Sequence, residues 1–558
     1  MSLITINQVN CKDCYKCVRY CPVKAIRVVG GHAEVVEERC LGDGSCLRIC
    51  PQHAKHVRGD VEVVRGLLAS GQQVMASIAP AAVGVFGADY PRLLGAVKVL
   101  GFARVEETAR TAAAVARASA ALTLDGGLPV ITSACPAVVA LVEKYYPQYV
   151  PLLAAVPSPM MAHARLLREE YGAETPVVFI GPCVAKKEEG QRDGVDAALT
   201  FDELRAWLEE EQIVLADAAP SACDNAPVGV AEIFPILSGL LITAGVTDDA
   251  VRPRVVTVAG LQEIREMLDA LPECSGVRLI EALACKGGCL AGPGAAEGPE
   301  FWARREALLT HMHGEGEGAC PSSLQRAFTT PPLSLPAPSD EEITAVLRRT
   351  GKHTPDDEQN CGACGYDSCR EKAVAVLQGM AEAEMCIPYM RSRAESVANI
   401  IISSTPNAIV VADEALRILS VNPAFEAIFV RPQAELLGRP LDTVLDNSGY
   451  ERVQRSGRPF GRHQVSYGKK TLREMIFPGR KEDFIIGIYV DVTEEEDHRE
   501  QLSTVKRETL RQARQVIDKQ MRVAQEIAGL LGETTAETKV LLTRLIQLSN
   551  EEDKTSSK

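Results

Sequence analysis

The spacing of apolar positions changes several times along the chain, and those changes divide it. Residues 1–60 show no sustained period; short apolar groups are broken by turn residues and cysteine. Over 61–325, strand-like apolar runs ("QVMASIAP", "TPVVFIGPC", "GVRLIEALAC") alternate with stretches at helical spacing ("FDELRAWLEEEQ", "LQEIREMLDAL"). That alternation predicts an α/β domain with largely parallel strands. The Pro-rich stretch 326–340, "RAFTTPPLSLPAPSD", reads as a linker. A small cysteine-bearing unit follows over 341–391, then an α+β pattern over 392–493. Residues 494–558 are charged, with apolar residues at helical spacing. They predict a long helix or coiled coil, broken at Gly532 and resumed through "TKVLLTRLIQL". The expected fold class is multidomain, α/β and α+β, with a helical tail.

Composition narrows the function. The chain has 558 residues, 46% of them hydrophobic, enough for several packed domains. Net charge is −14 and no Lys/Arg-rich run stands out, which argues against nucleic acid or an anionic membrane surface as the main partner. The N-terminus "MSLITINQVNCKDC" lacks a basic start followed by an apolar core, so no signal peptide is expected. No apolar run reaches the roughly 18 residues of a membrane span. The expected location is the cytoplasm, where clustered cysteines mean metal or redox chemistry more often than disulfides. There are 18 of them.

The first constellation is "CKDCYKCVRYCP", with Cys11, Cys14, Cys17 and Cys21 before Pro22. Three thiolates at C-x2-C-x2-C spacing can wrap one face of an iron–sulfur cube, and a fourth followed by Pro reaches to a second cluster. The run repeats as "CLGDGSCLRICP" with Cys40, Cys46 and Cys50, but Asp43 stands where a cysteine is expected. The pair resembles a bacterial two-cluster ferredoxin domain. By that resemblance Cys11, Cys14, Cys17 and Cys50 hold one 4Fe–4S cluster. Cys40, Cys46 and Cys21, with or without Asp43, hold the other. A further set, Cys361, Cys364, Cys369 and Cys386, has C-x2-C-x4-C-x16-C spacing. A helix-like stretch, "REKAVAVLQGMAEAE", carries the last cysteine back. It resembles a small single-cluster 4Fe–4S domain; structural zinc is the alternative.

Cys135 in "TSACP", Cys183 in "GPCVAKKEE", and Cys285 and Cys289 in "EALACKGGC" are dispersed, but strand-like runs lead into these segments. They are expected to meet at the carboxyl edge of one sheet, where α/β folds place ligands. These segments, with "SIAPAA" and "SPMM", resemble the catalytic domain of the FeFe hydrogenases over roughly residues 62–300. The resemblance implies that Cys135, Cys183, Cys285 and Cys289 hold the 4Fe–4S part of an H-cluster. Cys289 then bridges to a two-iron subcluster with CO and cyanide ligands, and Lys186 hydrogen-bonds a cyanide. Cys289 and Lys186 are therefore the candidate catalytic residues, with charge-assisted bonding offsetting the lysine's desolvation.

Three departures from that family stand out. Ala134 occupies the place of a cysteine that relays protons. Gly181 and Leu283 replace methionines near the two irons. "TAAAVARASAALTL" lacks the carboxylates that pass protons outward. An alanine side chain neither donates nor accepts a proton. Cys223, Cys274 and Cys320 read as ordinary thiols, and His463, His311 and His313 as structural or solvent-facing.

Residues 392–493 resemble a PAS domain, on "STPNAIVVADEALRILSVNPAFEAIF", "LLGRPL" and "DFIIGIYVDVTEEE"; a PAS ligand is not readable. The whole resembles the sensory FeFe hydrogenases. That implies H2 binding or slow oxidation, electron transfer through 4Fe–4S clusters with a redox partner such as ferredoxin, and signalling through PAS and tail to a separate kinase or phosphatase. The tail also makes a homodimer plausible. The alternatives are a ferredoxin-linked catalytic hydrogenase with a non-standard proton path, and a non-catalytic iron–sulfur sensor lacking the two-iron unit.

Overall fold

Among the described residues, seven parallel strands lie between Met75 and Leu283 in the computed structural model. The structure describes residues 2–123, 128–246, 254–274, 276–312, 316, 318–479, 484–528 and 539–547. The strands form two sheets, not the single one expected. The first runs Arg104–Glu107, Met75–Ile78, Val177–Gly181, Ala197–Thr200. The second runs Val255–Ala259, Leu279–Leu283, Val130–Ile131. The reason lies in edge occupancy. Both edges of Val177–Gly181 are already paired, with Met75–Ile78 and with Ala197–Thr200. The short Val130–Ile131 strand pairs instead with Leu279 and Ile280. The candidate ligands therefore stand at the carboxyl ends of two sheets: Cys183 on the first, Cys135 and Cys285 on the second.

Met75–Ile78, Val177–Gly181, Ala197–Thr200 and Leu279–Leu283 are buried at every position, whereas Val255–Ala259, at one edge of the second sheet, is half-buried throughout. Full burial explains why such strands read as continuous apolar runs rather than alternating ones. Helices cross between them, among them Ala109–Ala121, Pro136–Tyr145, Pro159–Tyr171 and Ala185–Asp193.

Residues 1–60 form two antiparallel pairs, Ile4–Ile6 with Lys55–Val57 and Ile26–Val29 with His32–Val35. The second hairpin turns at Gly30 and Gly31, both left-handed (φ 59° and 82°), as a two-residue turn requires. This lobe shares a core with Val138, Val139 and Leu141 of the hydrogenase-like region and with Tyr366 of the small unit. The Pro-rich stretch has no regular structure over 326–339, yet its start is seated. Arg326 is buried in ion pairs, Phe328 packs into the core, and Thr330 bonds Glu143. In the small unit the helix expected through Glu384 is Cys369–Leu377 only. Gly379, left-handed at φ 68°, ends it as helix C-caps do, and the turn Ala383–Met385 delivers Cys386.

Contacts separate Met1–Met390 from Arg391–Lys558. The second unit holds an antiparallel sheet in the order Ile418–Val421, Ala408–Asp413, Phe484–Asp491, Lys470–Pro478, Phe460–Tyr467. The helix Thr493–Ala528 follows it, and residues 539–547 are helical again. Gly532, expected as the break, and His313 lie outside the described residues. Among the described residues no helix is long and apolar enough to cross a membrane.

Candidate metal and catalytic site

Local chemistry places each cysteine of the dispersed set. Thr132 Oγ1 accepts the Ala282 N–H at 3.1 Å and Ser133 Oγ donates to Val156 O at 2.6 Å, which pins the turn that carries Ala134 and Cys135. Pro136 opens the next helix at its first position, where a missing N–H costs nothing. Cys289 follows Gly287 and Gly288, both left-handed (φ 101° and 72°). A Cβ on Gly288 would stand 2.3 Å from Pro235 O, so glycine is required there. The same carbonyl accepts the Cys289 N–H at 2.8 Å.

Cys135, Cys183, Cys285 and Cys289 line one cavity, together with Asp43 and Leu283. Cys183 and Cys289 also form part of the wall of a second, about 540 Å³ in size, with Ala134, Thr108, Met160 and Lys186. The two cavities thus share two cysteines, one of them the expected bridge. Burial, then the neighbouring sulfurs, pushes Cys183 and Cys289 up to about 12 and Cys285 well above its ordinary value. Four half-buried thiolates around one cavity are unfavourable unless a positive core compensates them, which an iron–sulfur centre does. The donor set fits that group.

Lys186 is 9% exposed. Its Nζ lies 2.8 Å from Glu189 Oε2 and 3.4 Å from Ala134 O. Glu189 also accepts from Arg326 at 2.7 Å and Ser158 at 3.0 Å. At Gly181, a Cβ would stand 2.5 Å from the Phe179 ring and 3.0 Å from Ala79. The Phe179 side chain, which lines the 540 Å³ cavity, fills that space.

In the ferredoxin-like lobe, burial followed by the Asp43 charge pushes Cys21 up to about 12. Burial raises Cys40 to about 11, opposed by the Gly42 N–H and reinforced by Asp43. Cys46 is raised by burial and then by Asp43. Asp43 therefore belongs electrostatically with Cys21, Cys40 and Cys46. Its own carboxyl is raised by burial, against a bond from the Ser45 N–H. Asp43 also borders the cavity of Cys135, Cys183, Cys285 and Cys289. It stands between two candidate clusters, a placement no spacing rule reveals. Cys11 and Cys17 lie within electrostatic reach of each other and of Lys55; Cys50 is half-buried and Cys14 exposed.

Asp is a hard oxygen donor on soft iron–sulfur chemistry. Asp43→Cys is therefore expected to convert a cluster that loses iron on mild oxidation into a stable 4Fe–4S form, seen in iron content and EPR. Identical spectra for variant and parent, oxidised and reduced, would remove Asp43 from the ligand set.

Cys361, Cys364, Cys369 and Cys386 line one cavity with Lys352 and Lys372. Lys352 Nζ donates to Cys386 Sγ at 3.4 Å, and Lys372 Nζ to Ala383 O at 2.8 Å. Both lysines are buried, and both were missed from sequence because each stands in a polar stretch. Among the described residues no three His, Cys, Asp or Glu side chains converge closely enough for a single metal ion. The cysteines ring cavities, as a polynuclear core needs. None of the 18 is paired in a disulfide. Cys223 lies 3.4 Å from the Tyr90 hydroxyl, and His311 stacks edge-on against the Tyr90 ring.

Comparison with known proteins agrees with this layout. Residues 72–293 match the family "Iron only hydrogenase large subunit, C-terminal domain". Residues 3–51 match a 4Fe-4S dicluster domain, 358–388 an Fe-S cluster family, and 399–476 the PAS fold. The periplasmic [Fe] hydrogenase large subunit of Nitratidesulfovibrio vulgaris is 27% identical over 56% of this chain and 91% of its own length. The NADP-reducing hydrogenase subunit HndD of Solidesulfovibrio fructosivorans is 25% identical over 46% of this chain and 55% of its own. Among solved structures, a single-site variant of the [FeFe]-hydrogenase HydA1 from Chlamydomonas reinhardtii aligns at TM-score 0.37, with 19% identity, over 46% of this chain and 91% of that one.

Proposed function

The chain carries an FeFe hydrogenase-like domain joined to iron–sulfur domains and a PAS domain, and on that premise we propose that it senses hydrogen. The observation carrying this reading is the pair of cavities sharing Cys183 and Cys289, with Lys186 and an inert Ala134 on the wall of the larger. Cys135, Cys183, Cys285 and Cys289 are the proposed ligands of a 4Fe–4S centre. Cys289 would also hold a two-iron unit with CO and cyanide ligands, which would supply the H2 chemistry when bound. Lys186 holds its ammonium at the cavity wall, positioned by Glu189. Beyond the cysteines the lining is mostly apolar, with Thr108 and Lys186 as its polar side chains. Cys21, Cys40 and Cys46, next to Asp43, offer the adjacent cluster in the electron path. Cys11, Cys14, Cys17 and Cys50 hold another, and Cys361, Cys364, Cys369 and Cys386 a further one.

Infrared spectroscopy of matured protein tests this reading. CO and cyanide bands support it; their absence at full iron loading favours the non-catalytic iron–sulfur sensor. Dye-linked turnover separates a sensor from a hydrogenase with real flux.

The output is assigned to the tail. Leu502, Val505, Val516, Val523 and Ile527 of the Thr493–Ala528 helix are exposed, an apolar surface suited to a second copy or to a kinase or phosphatase. Truncation after Thr493 is expected to leave the infrared bands intact and to abolish partner binding in a pull-down. Loss of the bands on truncation would assign the tail to the hydrogenase fold instead.

A further inference from the structure

A line of buried polar groups leads away from the cavity that Ala134 faces. Thr108 lines that cavity. Its Oγ1 lies 2.9 Å from Ser77 Oγ, and Ser77 Oγ lies 2.8 Å from His163 Nδ1. The opposite ring nitrogen, Nε2, stands 3.5 Å from Glu106 Oε2. Ser77 and His163 are 0% exposed, Glu106 1% and Thr108 4%. Beyond them, Glu106 Oε1 accepts from the hydroxyl of Tyr171, a residue 37% exposed. Arg104 and Arg110 also donate to Glu106.

Two features set this line apart from ordinary core cross-links. Ser77 stands between Ala76 and Ile78 on a wholly buried strand, where an apolar residue would carry no desolvation cost. His163 Nε2 makes no hydrogen bond within the usual range although it is buried and aimed at Glu106. A purely structural network would be expected to close that contact. Catalytic contacts are often long before the site is loaded.

We propose that Thr108, Ser77, His163 and Glu106 form a proton path from the cavity to the surface, serving a site whose usual relay ends at Ala134. This rests on the hydrogenase reading above. The hydrogen-bond directions follow from the acceptor at the outer end. Burial works to raise Glu106, but His163 and Arg110 outweigh it and hold the carboxyl at about 2, so it accepts. Burial keeps His163 below its ordinary value, against the pull of Glu106. The neutral ring therefore carries its proton on Nε2, and Nδ1 accepts from Ser77; the Thr108 hydroxyl, which also reaches Ile78 O at 3.1 Å, donates to Ser77 once it turns from that carbonyl. A proton arriving on Thr108 Oγ1 displaces the Thr108 proton to Ser77, the Ser77 proton to Nδ1, and the Nε2 proton to Glu106. At each member one bond to hydrogen forms and one breaks; no electrons move. Glu106 then releases its proton beside Tyr171. A carboxyl held so low is protonated only briefly, and the direction of net transfer is set by the proton's free energy at the two ends of the path.

The test uses full-length matured protein, with Ser77→Ala, Ser77→Thr and His163→Gln. Three readouts are compared: infrared band intensity, dye-linked H2 oxidation, and the rate of infrared band interconversion after a pH jump without H2. Ser77→Ala and His163→Gln are expected to slow turnover and the pH-jump response at least ten-fold at unchanged band intensity. Ser77→Thr, which keeps a hydroxyl, is expected to stay within about three-fold of the parent. Parent-like rates in Ser77→Ala at equal occupancy would overturn the path and leave the hydrogenase reading standing. Absent bands in the parent would overturn that reading, and the path with it. Should the Ser77 and His163 variants lose their bands, Thr108→Val decides, since it removes only a hydroxyl: a ten-fold loss supports the path and parent-like rates overturn it.

Discussion

Matured protein is expected to oxidise H2 at least about a hundred-fold more slowly than catalytic FeFe hydrogenases, at full occupancy of the site. In the hydrogenases this domain resembles, a thiol at the position of Ala134 hands protons between the two-iron unit and a carboxylate chain. Here a methyl group faces the cavity, and the Ala109–Ala121 helix contains no carboxylate to continue such a chain. A lost relay step of roughly 3–5 kcal/mol slows turnover by about a hundred- to a few thousand-fold, since each 1.36 kcal/mol is tenfold. Ala134→Cys alone should raise the rate only modestly, because the next acceptor is still missing. The measurement is dye-linked H2 oxidation normalised to infrared occupancy. Parent rates equal to those of catalytic relatives would sink the interrupted-relay account. Slow turnover suits a sensor, which must report hydrogen without depleting it.

Lys186→Met should abolish the infrared bands and lower stability by about 1–3 kcal/mol. Removing one partner of a buried ion pair typically costs about 3–5 kcal/mol, because the other charge is left unpaired. Glu189 is wholly buried but keeps Arg326 and Ser158, so the lower figure applies. The pH dependence is more diagnostic. Burial works to raise the Glu189 carboxyl; Lys186 and then Arg326 outweigh it, and the group sits below its ordinary value. A carboxyl depressed on folding adds stability above its unfolded pKa and loses it as pH falls through the folded one. In the parent that loss falls below the ordinary carboxylate range. Without Lys186 burial gains weight, the folded pKa rises, and the loss begins at higher pH. Calorimetry between pH 4 and pH 8 checks this. A variant with parent-like unfolding at both ends and intact bands would reduce Lys186 to a bystander.

The cysteine-bearing turns were readable in advance because short cysteine spacings carry chemistry directly, and because each dispersed segment follows an apolar run. The division into two sheets was not, since apolar periodicity shows that Val130–Ile131 can form a strand but not which strand edge is free to receive it. Asp43 was legible as a break in a repeat, whereas its position beside Cys285 depends on how two lobes pack. Ser77 and His163 escaped notice because a lone hydroxyl or imidazole among apolar residues looks like core filling until its partners are known. Arg326 and Thr330 were hidden by the prolines around them: composition reads the stretch as a spacer, while its first residues clamp Glu189 and Glu143.

The joint after the last PAS strand has a mechanical consequence. Asp491 Oδ1 accepts from the N–H of Thr493 at 3.1 Å and from its hydroxyl at 2.6 Å; the same hydroxyl oxygen accepts the Thr471 N–H at 2.9 Å, and Val492 between them is buried. The helix is thus fastened to two neighbouring strands at its first residue. At ~1.5 Å per residue, the 36 residues of Thr493–Ala528 make an arm roughly 54 Å long. A change of about 5° in how those strands meet would sweep its far end through roughly 5 Å by simple leverage, a displacement comparable to the ~5.4 Å rise of one helical turn. A strain too small to alter the sheet's own hydrogen bonds would thus arrive, enlarged, at whatever grips the other end.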